Sequence, residues 1–92
     1  MTDFEVRYNA VEQANLLMMQ RLILEIAIIK GDEGSSWIDR FRNAVVSEIG
    51  DTQASDGEQR PAAITAMARS VVENVALMSK NRLTQLKEDG IL

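Results

Sequence analysis

Apolar residues recur every three or four positions through three stretches of the chain, and no stretch shows the sustained two-residue alternation of a half-buried strand. The pattern predicts an all-α, three-helix unit with two long helices, at about 3–30 and 61–89, and one short helix at about 36–49. Thr2 or Asp3 is placed to cap the first helix, and Gly31 follows it as a left-handed stop. Ser36 with Asp39 three places on reads as a weak capping box for the second helix. Residues 51–60 carry no apolar side chain larger than Ala54 and read as a polar connecting loop. Pro61 suits the first turn of the third helix, and Gly90 its end.

Turning each residue by about 100° sorts the first helix into two apolar stripes. Phe4, Tyr8, Val11, Met18, Leu22, Ile26 and Ile29 form the main one, with Met19 on its edge and Asn15 interrupting it. Leu17, Leu24 and Ile28 form a second, separated from the first by Arg7, Arg21 and Glu25 on one side. A three-helix unit needs one stripe per helix, so the second is surplus: several large side chains, each worth about 1.5–3 kcal/mol if buried. Left in water it would be a patch of the kind that marks an interface, unless the first helix is central and packs on two sides. The second helix turns Trp37, Ile38, Phe41, Ala44, Val45 and Ile49 to one side. The third presents Ile64, Met67, Val71, Val75, Met78, Leu83 and Leu86, with Arg69, Glu73, Lys80 and Lys87 on its solvated face.

The helix lengths imply a layout. A short second helix would stop halfway along the first, and a ten-residue loop would let the third rise beside the first in the same direction. The halves 3–15 and 61–75 would then lack cover, and two such halves could complete a helical bundle across a two-fold axis. The interface candidates are Phe4, Tyr8, Val11, Ile64 and Val71, with the stripe of Leu17, Leu24 and Ile28 as the competing site. Among polar residues, Asn15 is a candidate register-setting group, and Arg82 is expected to pair with Glu25, itself four residues from Arg21, within the bundle or across a dimer seam.

Composition narrows the chemistry. The 92 residues suffice for one domain with a thin core. The net charge of −4 works against binding nucleic acid or an anionic membrane through bulk charge. The apolar run Leu16–Ile29 is 14 residues long with two charges, too short and too charged to span a bilayer. The acidic start lacks a secretory signal, so a cytoplasmic location is expected. With no cysteine and no histidine, thiolate nucleophiles, the commonest near-neutral base and the usual soft metal ligands are missing. Asp51, Asp56 and Glu58 do not fit a calcium loop, and Gly31 and Gly34 lead to no Gly-Lys-Ser/Thr. The sequence therefore points to a helical protein–protein interaction module, self-associating as a homodimer, with no catalytic residues, cofactor or metal. The partner would be a second copy or another protein. The alternative is a nucleic-acid-associated regulator using Arg69, Lys80, Arg82 and Lys87 of the third helix.

Overall fold

A computed structural model describes residues 2–55 and 62–92, with the backbone alone for 51–55. Its element order is α1 (Asp3–Ile29), a 3₁₀ turn (Gly31–Glu33), α2 (Gly34–Ser55) and α3 (Ala62–Glu88), with no strand among the described residues. Residues 56–61, and with them Pro61, Asp56, Glu58 and the remainder of the expected loop, lie outside the described residues.

The helix ends follow from local chemistry. Thr2 is extended at ψ 159°, and its hydroxyl oxygen accepts from the Glu5 amide at 3.1 Å, the forward half of a Thr-x-x-Glu capping box. Gly31 takes φ +61° and Gly90 φ +74°, left-handed values that side-chain-bearing residues avoid. At Gly90 the amide of Ile91 donates to the Leu86 carbonyl at 3.0 Å and that of Gly90 to Lys87 at 3.1 Å, the paired bonds of a Schellman stop.

The second helix differs from its sequence reading at both ends. The 3₁₀ turn runs straight into α2 at Gly34, so Ser36 caps nothing; its hydroxyl donates back to the Glu33 carbonyl at 3.0 Å. At the other end Gly50 is not left-handed, and the helix continues through it to Ser55. A glycine inside a helix costs about 1 kcal/mol but ends it only where φ turns positive. The helix of 22 residues therefore spans about 33 Å rather than about 20 Å, and 51–55 belong to it rather than to a loop.

Three approaches define how the helices run. A Cβ on Gly50 would come within 2.8 Å of the Arg69 guanidinium, Lys80 Nζ donates to both Asp39 oxygens at 3.1 and 3.2 Å, and Gly34 faces Leu83. These pairs move in opposite directions along the chain, so α2 and α3 form an antiparallel hairpin over most of their length. The Ser79 hydroxyl donates to the Val75 carbonyl at 2.8 Å and lies 3.5 Å from the Gln20 carbonyl, while Leu24 lies near Arg82. Residue numbers here rise together, so α1 and α3 are parallel.

The core sits at the Gly31 end of α1. Ile23, Leu24, Ala27, Ile38, Ala76, Leu83 and Leu86 are buried, and Ile28, Trp37, Phe41 and Val75 pack against them. Small residues set the spacing. Gly34 lies so close to the Ala27 carbonyl that no side chain fits between them, and Ala76 and the fully buried Ser79 let α3 approach closely. This contact decides which face of α1 is covered: the tight turn at Gly31 folds α2 down onto Ala27, and the neighbours of Ala27 become core.

Candidate interaction surface

The face of α1 opposite Ala27 is bare. Every residue from Asp3 to Met19 is exposed, and the bare strip continues through Leu22, Ile26 and Ile29 beside the buried Ile23, Leu24 and Ala27. Phe4 is 76% exposed, Leu22 58% and Ile29 81%, high values for large apolar side chains. Phe4 and Tyr8 stack on each other with ring centroids 6.3 Å apart and planes 22° from parallel. A pair of rings held together in water keeps its apolar area in one patch.

The fold covers most of the stripe read as surplus and leaves the main stripe, Phe4, Tyr8 and Val11 included, in water. Leu24, expected in the surplus stripe, is 3% exposed and belongs to the core; Ile28 packs against it. Neither is free to form an outer interface. Leu17 of the same stripe remains exposed. The longer main stripe, with more large side chains, is the one left in water. Stripe area favoured it for the core, but the Gly34–Ala27 approach outweighs area, because helices pack closest where side chains are smallest.

The bare half of α1 also has a different cause from the one expected. A short α2 would have stopped beside the middle of α1. Instead α2 is long but lies along α3, leaving the first half of α1 without cover. The first half of α3 is consequently less bare than expected: Thr65 is buried and Val71 half-buried, although Ile64 and Met67 remain exposed. Val71 lines an apolar groove of about 320 Å³ where the three helices part, together with Asn15, Met19, Ile23, Phe41 and Val45. Asn15 therefore stands at the border between this groove and the bare strip, and is itself exposed.

The expected Arg82–Glu25 pair does not form within the chain. Glu25 is bound to Arg21, one turn back on the same helix. Arg82 lies along the edge of α1 beside Leu17, Gln20, Arg21 and Leu24. Arg21 thus stands beside Arg82 and holds the Glu25 carboxylate itself. Lys80, placed on the solvated face of the third helix by its sequence position, instead bridges to Asp39, which also lies 3.7 Å from Arg42. These pairs are part-exposed and contribute at most about 1 kcal/mol each.

Among the described residues no three His, Cys, Asp or Glu side chains gather as a metal site would need, and no helix is long and apolar enough to cross a membrane. No protein-family model, no curated protein and no solved structure matches the chain.

Proposed function

We propose that this protein is a helical interaction module that self-associates through the bare face of α1, acting as an adaptor, inhibitor or structural subunit rather than as a catalyst. The observation that carries the reading is the unbroken exposure of Phe4, Tyr8, Val11, Met18, Leu22, Ile26 and Ile29 along one side of a single helix. Each leaves on the order of 100 Å² open, so two such faces together offer more than the roughly 1,000 Å² that a specific interface needs. A monomer rarely exposes so long a patch without using it.

The nucleic-acid alternative gains no support of its own. Of its four basic residues Lys80 is occupied by Asp39, while Arg82 stands at the α1 edge and Arg69 beside Gly50.

Heat unfolding at two concentrations tests the proposal. For a folded dimer that melts to unfolded chains, the melting temperature rises with protein concentration by mass action. Between about 2 and 200 µM a shift of several degrees is expected. A midpoint that stays put across that range contradicts self-association in the folded state.

A further inference from the structure

The bare strip of α1 has a finer spacing than a general apolar face. Phe4, Tyr8, Val11, Asn15, Met18, Leu22, Glu25 and Ile29 follow one another at alternating intervals of four and three residues. That is the seam of a two-stranded coiled coil, with Tyr8, Asn15, Leu22 and Ile29 at the a positions and Phe4, Val11, Met18 and Glu25 at d. In the same register Gln20 and Ala27 fall at f, Ile23 at b and Leu24 at c, the side that the α2–α3 hairpin covers. Around Ala27 the hairpin and the seam lie on opposite sides of α1; nearer its start Tyr8, Val11 and Asn15 border Val71 across a groove yet stay exposed, so the seam remains open to a partner.

Resting on the self-association reading, we propose that the occupant of this face is the α1 of a second copy, running parallel and in register. Two features favour that direction. First, a parallel seam places Asn15 of one copy against Asn15 of the other, where the two side-chain amides satisfy each other and fix the register. An antiparallel seam over the same length sets Asn15 against Met18 and leaves the amide unmatched; its one polar match is Tyr8 against Glu25. Second, the flanking positions are complementary in the parallel arrangement. Arg7 at g of one copy falls opposite Glu12 at e of the other, and the two-fold axis repeats the pair. In the antiparallel arrangement Arg7 faces Ile28 and Glu12 faces Met19. Glu25 at d would meet its own copy, but Arg21 at the neighbouring g position already holds its carboxylate.

The chain has no cysteine, so a single introduced thiol reports on one position alone. Tyr8→Cys should form a homodisulfide under mild oxidation with diamide, because parallel a positions face each other within the 7 Å or so that a disulfide spans. In the antiparallel seam the two copies of position 8 are about 25 Å apart and do not join, whereas a mixture of Phe4→Cys and Ile29→Cys chains cross-links between the two. A dimer that gives only the mixed product overturns the parallel direction and leaves self-association standing. A chain of monomer mass that gives neither product overturns both. Asn15→Leu supplies an independent reading: removing the polar layer should tighten association at least tenfold and admit trimers or larger species. Unchanged affinity and size would contradict a seam position for Asn15.

Discussion

Ile38→Ala is expected to remove about 2–5 kcal/mol of folding stability, the usual loss for truncating a fully enclosed aliphatic side chain. Ile38 is 0% exposed and belongs to the core cluster that joins the three helices, one turn beyond the Gly34–Ala27 contact. At about 0.05–0.15 kcal/mol per residue, a chain of 92 residues has on the order of 5–14 kcal/mol in all. The substitution would therefore take from about a seventh of the total to most of it. The close backbone approach at Gly34 leaves the helices little freedom to collapse into the space, which places the loss toward the upper part of the range. Urea unfolding at one fixed protein concentration measures it: the midpoint should fall while the slope stays constant. A loss below about 1 kcal/mol would mean that Ile38 is not central to the core.

Leu22→Asp should act in the opposite way, weakening assembly by more than 100-fold while sparing the fold. Leu22 is largely exposed within the chain, and a surface substitution of that kind changes stability by only about 0.5 kcal/mol. In the proposed seam it occupies an a position, where each copy would bury a carboxylate against its twin. Burying an unpaired charge costs several kcal/mol, and about 2.7 kcal/mol already amounts to 100-fold. Light scattering should show the mass of one chain where the proposal expects two for the unaltered protein, with far-UV circular dichroism still helical. If the variant keeps the dimer mass, Leu22 is not in the interface. The contrast between the two substitutions separates core from surface: Ile38 acts on folding and Leu22 on assembly.

Much of this organisation is legible in the order of the amino acids, and the departures from it have physical causes. The caps at Thr2, Gly31 and Gly90 depend on chemistry within a few residues, so spacing alone locates them. The end of α2 is harder to place because Gly50 and the polar residues after it look like a stop, whereas the stop depends on a backbone angle that Gly50 does not adopt. The exposure of the main α1 stripe through Leu22, Ile26 and Ile29 has a deeper cause. Counting large apolar side chains identifies which faces are sticky but not which is covered first. Coverage is set by Gly34, Ala27, Ala76 and Ser79, small residues that add little to any hydrophobic stripe and permit the closest approach. The signal for it is the glycine three residues past Gly31, at the point where a returning helix first meets its neighbour. The Arg82–Glu25 expectation fails because Arg21, one turn before Glu25 and beside Arg82, takes the carboxylate.

The central claim is that the bare face of α1 is occupied by another copy of the chain. Sedimentation equilibrium of the unaltered protein between about 1 and 100 µM addresses it most directly. The expected result is a mass approaching twice 10.3 kDa in the upper part of that range, dissociating on dilution. A mass of one chain at every concentration would contradict it.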